Sequence, residues 1–117
     1  MSETLRGKAS VPFRLSLPGA SSDVEMLEGR TRDMRATGLS LVVPDIRIGQ
    51  EEIVGEDRRL RVLLELPSGP VELEVEPVRY EPLDAEETEQ GYLIGARITE
   101  ISDSDCVRFV KYLRALR

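Results

Sequence analysis

Arg30, Arg32, Asp33 and Arg35 stand within six consecutive residues, and Gly38 follows shortly after. A guanidinium is a planar fork of donors that matches phosphate, while a carboxylate accepts N–H bonds. Asp33 set between Arg32 and Arg35, beside a glycine turn, has the makings of a rigid platform for a ligand that is both anionic and hydrogen-bonding. The same run also reads as an exposed strand edge whose charges discourage edge-to-edge association. Both readings stay open at the level of this stretch.

The rest of the composition narrows the chemistry. The 117 residues include no histidine and no tryptophan, and Cys106 is the only cysteine. Cys/His zinc sites, Ser-His-Asp and Cys-His nucleophiles and imidazole acid–base catalysis are therefore excluded. No pair of acidic residues has the partner arrangement of a carboxylate-based hydrolase, so no enzyme is expected. A formal net charge of −6 argues against binding a nucleic acid polymer, which calls for a broad basic surface. An anionic ligand would have to be held by a local arginine cluster. One cysteine permits no internal disulfide, and no apolar run approaches membrane-spanning length. No membrane insertion and a cytoplasmic location are expected.

The elements that must position the cluster follow from periodicity. Residues 1–10 read as a flexible polar arm carrying Arg6, Lys8 and Ser10, and residues 11–117 as a single domain. Val11, Phe13, Leu15 and Leu17 alternate with polar residues or proline, the period of a half-buried strand. Turn residues follow, then a polar second strand over Val24 to Arg35. Gly38 turns the chain into Leu39, Leu41 and Val43. Pro44 to Asp57 reads as a long loop pinned by its isoleucines and Val54. Leu60–Leu66 and Val71–Glu76 alternate around Pro67-Ser68-Gly69-Pro70 as a hairpin. Glu81 to Gly91 is an acidic loop, and Tyr92 to Ile98 the last strand. Ser102 then caps a helix over residues 102–117, with Cys106, Phe109, Val110, Leu113 and Leu116 on its apolar face. Its basic side carries Arg108, Lys111, Arg114 and Arg117. About six strands and one helix, without βαβ alternation, imply an antiparallel barrel or rolled sheet closed by the helix.

This arrangement resembles the PilZ family of bacterial cyclic di-GMP receptors over roughly Leu5 to Arg117. The family pattern is RxxxR ahead of the first strand and [D/N]xSxxG at the turn between the next two strands. Asp33-Met34-Arg35-Ala36-Thr37-Gly38 is similar to the second motif, with Arg35 in place of the serine. The first falls on Arg6-Gly7-Lys8-Ala9-Ser10, with Ser10 where the second arginine belongs. Gly49, Leu66-Pro67-Ser68-Gly69, Leu93-Ile94-Gly95-Ala96-Arg97-Ile98 and Ile101-Ser102-Asp103-Ser104-Asp105 also resemble family positions.

The resemblance implies a mainly β fold, a six-stranded antiparallel barrel with a C-terminal α-helix. It implies a receptor or adaptor without a cofactor, whose ligand is cyclic di-GMP and whose output passes to a protein effector or a covalently linked domain. The ligand would be clamped between the arm (Arg6, Lys8, Ser10) and the platform of Asp33, Arg35 and Gly38. Asp33 would accept from a guanine N1–H and N2–H, and Gly38 would permit a backbone approach that a β-carbon blocks. Loss of the second arginine should cost about 1.5–3 kcal/mol where it made a charged hydrogen bond. Arg35 would either replace the missing cation or pair with Asp33 and close the pocket. The alternative implied by these departures is a degenerate PilZ domain that binds no nucleotide. It would act as a protein-interaction module through the acidic loop around Glu86 or the basic side of the helix.

Overall fold

Phe13, Leu15, Val62, Leu64, Val71, Leu73, Val75, Leu41 and Ile94 are all essentially inaccessible to solvent, and the strands that carry them present polar residues outward. Alternation of this kind on antiparallel strands gives a sheet with one dry and one wet face, which hides the dry face by closing on itself. The computed structural model describes residues 6–8, 10–17, 26–48, 51–54, 58–83 and 91–116. Its strands are β1 (Arg6–Lys8), β2 (Pro12–Ser16), β3 (Leu27–Arg35), β4 (Gly38–Val43), β5 (Arg47–Ile48), β6 (Glu51–Glu52), β7 (Leu60–Leu66), β8 (Gly69–Pro82) and β9 (Tyr92–Ile101). The helix α1 spans Asp103–Ala115.

Neighbours in the order β3-β2-β7-β8-β9-β4 pair antiparallel, and pairing of β3 with β4 closes the ring. The result is the closed six-stranded antiparallel barrel with a C-terminal helix that the sequence implies. Ser102 caps α1 as expected, its hydroxyl accepting from the Asp105 amide at 3.2 Å. Such a cap contributes about 1 kcal/mol. Phe109 and Leu113 enter the barrel core, while Arg108 donates to the Pro70 carbonyl and the Glu72 amide donates to Asp105. The helix is thereby fastened to the β7–β8 hairpin.

Three segments differ from the pattern reading. Residues 1–10, read as an arm, include the short strand β1, whose Arg6, Gly7 and Lys8 lie opposite Arg35, Met34 and Asp33. A backbone ladder holds it, so no apolar period marks it in the sequence. Strand β8 runs on to Pro82 instead of stopping at Glu76, through register shifts at Glu74/Val75 and Pro77/Arg79. Pro77 and these bulges break the alternation that signals a strand without ending the strand itself. The segment after Pro44 is anchored by buried Ile48, Ile53 and Val54 as expected, but also folds into the small β5–β6 ladder. Gly49, the acidic loop at Glu86 and the turn at residues 18–23 lie outside the described residues.

Truncating Leu113, wholly buried in the core, should lower unfolding free energy by about 2–5 kcal/mol. Urea denaturation of Leu113→Ala against wild type measures this. A loss below about 0.5 kcal/mol would mean that α1 is not part of the cooperative core.

Candidate ligand-binding site

The site is built on one irregularity of β3. Thr31 lies opposite Leu41 and Asp33 opposite Ser40, so Arg32 is an extra residue in β3 relative to β4. This bulge resets the alternation: Thr31 and Met34 are both buried, three positions apart, and Arg35 is exposed. On the other edge of β3, the Thr31 amide donates to the Val11 carbonyl at 3.0 Å and the Val11 amide donates to Thr31 Oγ1 at 2.9 Å. These bonds fix the place where β1 leaves β2.

The register then draws residues from five strands into two lines across the barrel wall. In the first, Lys8 is opposite Asp33, Asp33 opposite Ser40, Ser40 opposite Gly95 and Gly95 opposite Arg79. In the second, Arg6, Arg35, Gly38, Arg97 and Glu76 follow in the same way. Five basic and two acidic residues therefore stand on these lines, in a chain of net charge −6. A cleft of about 470 Å³ opens here, lined by Asp33, Arg35, Ser40, Arg79 and Arg97 among others. Clefts of this size accommodate small ligands.

The electrostatic state of each group differs. Oδ1 of Asp33 is buried and accepts no hydrogen bond. Leaving a buried acceptor unsatisfied costs about 1–3 kcal/mol, more for a charged group. Arg97 is engaged by Glu76 at 3.2 Å. Other arginines on the barrel strands are also occupied: Arg14 with Glu28 and Glu65, and Arg61 with Glu72. Arg35 and Arg79 have no hydrogen bond or ion pair among the described residues. Arg35 thus does not fold back onto Asp33, although both are on one strand two positions apart.

The glycines shape the floor. A β-carbon at Gly38 would lie 2.7 Å from the Ala96 carbonyl oxygen, so β4 and β9 approach too closely there for any side chain. At Gly95 a β-carbon would sit 3.3 Å from Cγ and Nε of Arg79, whose side chain therefore lies across this position. Ser10 is bound by Arg30, through Nε to Oγ at 2.6 Å and Nη2 to the carbonyl at 3.0 Å. It is not among the lining residues of the cleft.

Of the sequence-derived candidates, Asp33, Arg35 and Gly38 line the cleft, and the β1 register sets Arg6 and Lys8 beside them. Ser10 is separate. Sequence reasoning did not assign Ser40, Arg79, Gly95 or Arg97 to the site. Ser40 was within reach, since it lies two residues beyond Gly38 on the same strand. Arg79 was not, because it follows the broken pattern at Pro77.

No family model matches the chain, and no curated protein matches its sequence. Solved structures do match its fold. The PilZ domain of YcgR from Escherichia coli, determined with c-di-GMP, superposes with a TM-score of 0.69 at 10% identity, covering 98% of this chain and 90% of that one. The Bacillus subtilis inhibitor of motility MotI/DgrA gives 0.68 at 15%, covering 97% and 49%. The MrkH–c-di-GMP complex from K. pneumonia gives 0.68 at 19%, covering 99% and 51%. This chain spans about half the length of the latter two proteins. Its fold is PilZ-like.

Gly38→Ala should destabilise the unliganded protein by about 1–3 kcal/mol, the range for forcing a methyl into a filled space. Denaturation without any ligand tests this. Unchanged stability would show that the close approach of β4 and β9 is not what demands glycine.

Proposed function

We propose that this domain is a cyclic di-GMP receptor that holds its ligand on the outer wall of the barrel, over β3, β4 and β9. The observation that carries this reading is the buried, unpartnered Oδ1 of Asp33 at the edge of a cleft that also presents the unpaired guanidinium of Arg35. Guanine offers N1–H and N2–H donors to such a carboxylate, and the two phosphates of the ligand offer charge to the cations. The likeness in fold to PilZ domains solved with c-di-GMP supports the ligand class. Arg6 and Lys8 would add further cations from β1, whose backbone lies opposite Arg35 and Asp33. Arg35 acts as a cation toward phosphate rather than as a plug, consistent with its lack of a bond to Asp33.

In the cell the domain would work in the cytoplasm as a second-messenger receptor, passing the bound state to a protein effector or a linked output domain. The contrary reading, a degenerate domain that only contacts proteins, has one observation in its favour. Where the family motif has its second arginine, this chain has Ser10, and the fork of Arg30 is taken up by it. Of the helix surface considered for such contacts, Lys111 and Arg114 are exposed, whereas Arg108 is tied to Asp105 and Pro70.

Isothermal titration with cyclic di-GMP, with GMP as control, separates the two. We expect saturable binding in the micromolar range or tighter, about −8 kcal/mol. Asp33→Ala removes the acceptor of two hydrogen bonds and should weaken binding about a hundredfold or more. Arg35→Ser, which restores the family residue, should weaken it about tenfold by removing a phosphate contact. A flat titration of the wild-type protein at high concentration would refute the receptor reading. Tighter binding by Arg35→Ser would show instead that Arg35 obstructs the pocket.

A further inference from the structure

Strand β8 is paired on both edges only as far as Val75, where its ladder with β7 ends at Leu60. It then runs on to Pro82 along β9 alone, so its other edge, from Glu76 to Pro82, has no strand beside it among the described residues. This stretch carries two of the three exposed large apolar side chains among the described residues, Val78 at 66% and Tyr80 at 49% exposure. The Leu83 amide donates to the Gly91 carbonyl, so Leu83 turns its backbone groups toward the β9 side. These groups alternate along an antiparallel strand. Arg79 and Glu81 therefore also face β9, and Tyr80 turns its N–H and C=O to the open edge. Pro82 shares that outward position, where the N–H it lacks is no loss to the β9 ladder. Such an edge is a template for one more strand.

The residues of the edge select which strand. Arg79 and Glu81 flank Tyr80 symmetrically; both are exposed and neither has a partner among the described residues. An antiparallel neighbour must set outward-turned residues against outward-turned ones. With a second copy of this chain, Tyr80 against Tyr80 puts Arg79 of each copy opposite Glu81 of the other. The next allowed register on one side sets Arg79 against Arg79, and on the other Glu81 against Glu81, which like charges disfavour. We propose that two copies of this chain associate through their β8 edges, antiparallel about a two-fold axis at Tyr80. The contact is isologous: the two Tyr80 residues exchange backbone hydrogen bonds, and the Arg79–Glu81 pair is made twice. Pro77 and Pro82 bound the ladder, and pairing occupies the edge of both copies, so assembly stops at two. An unrelated extended peptide would gain the backbone bonds without this exchange of charge. The Arg79 side chain, lying over Gly95 in the single chain, gives up no bond in turning to the edge. The proposal does not rest on the ligand.

The test is sedimentation velocity of the whole chain without ligand, from about 10 μM to about 1 mM, the range in which so short a contact assembles. The variants are Arg79→Glu, Glu81→Arg and the double exchange R79E/E81R. Both positions are exposed and unpaired among the described residues, so each variant should keep wild-type thermal stability. Wild type should show a monomer–dimer equilibrium. Each single exchange sets like charges opposite one another twice and should weaken the dimer about tenfold or more. The double exchange restores opposite charges across the axis and should bring the dimer back to within about threefold of wild type. A wild-type chain that stays monomeric to the highest concentration would overturn the proposal. Single variants that dimerise like wild type, or a double variant no better than the singles, would overturn it too.

Discussion

The paired bonds between Val11 and Thr31 are where the geometry of the wall is decided. Thr31 is buried, and both its amide and its hydroxyl are committed to the backbone of Val11. A threonine hydroxyl in that place supplies the acceptor that a regular ladder would have taken from a carbonyl, and so tolerates the irregular backbone around it. Immediately beyond, Arg32 bulges out of the β3–β4 ladder. With the bulge, Thr31 and Met34 both face the core; without it, the period of two would carry Asp33 inward after Thr31. A carboxylate on the dry face of this barrel would meet an apolar core that includes Phe13, Phe109 and several leucines, at a cost well beyond that of one unmade hydrogen bond. The bulge keeps Asp33 on the wet side while the strand continues.

Once β3 is set, closure of the barrel brings the rest of the wall to it. Strand β9 pairs with both β4 and β8, so Gly95 is flanked by Ser40 and Arg79, although Arg79 follows Asp33 by 46 positions in the chain. Elsewhere on the barrel Arg14, Arg59 and Arg61 are paired with glutamates of adjacent strands, in exposed pairs that each contribute little to stability. The wall around Asp33 differs. Its unpaired guanidiniums have no structural bond to lose to a ligand, so an incoming anion need not first break ion pairs.

The barrel was legible in the sequence because its strands alternate: Leu60–Leu66 against Val71–Val75 shows the hydrophobic period without interruption, and Ser102 with Asp103 and Asp105 marks a helix start. That Asp33, Arg35 and Gly38 share one cleft was legible too, as they are close in sequence and the strand period relates them. What could not be read was anything set by long-range register. Nothing local to Arg79 links it to Asp33, since that link needs the ring to close through β9. Nothing in Arg6-Gly7-Lys8 distinguishes a ladder strand from a polar tail. Gly38 is instructive in another way: sequence reasoning gave it a role toward ligand, and the close Ala96 carbonyl supplies a structural demand for glycine that holds with no ligand at all.

The departure at Ser10 and the position of Arg79 belong to one argument. A cation on an arm contributes to binding only after the arm is ordered, and fixing a backbone residue costs about 1–2 kcal/mol. A cation on a barrel strand carries no such backbone cost, because folding has already ordered it. Here the arm position loses its second arginine, and the neighbouring Arg30 is spent on holding Ser10. Meanwhile the closed wall presents Arg35 and Arg79, neither with a partner among the described residues. On the proposed reading, charge for the ligand comes from the barrel wall as well as from the N-terminal motif. The affinity of such a site depends on the register of β3 against β4, which the bulge at Arg32 shifts, and on the registers of β9 with β4 and β8.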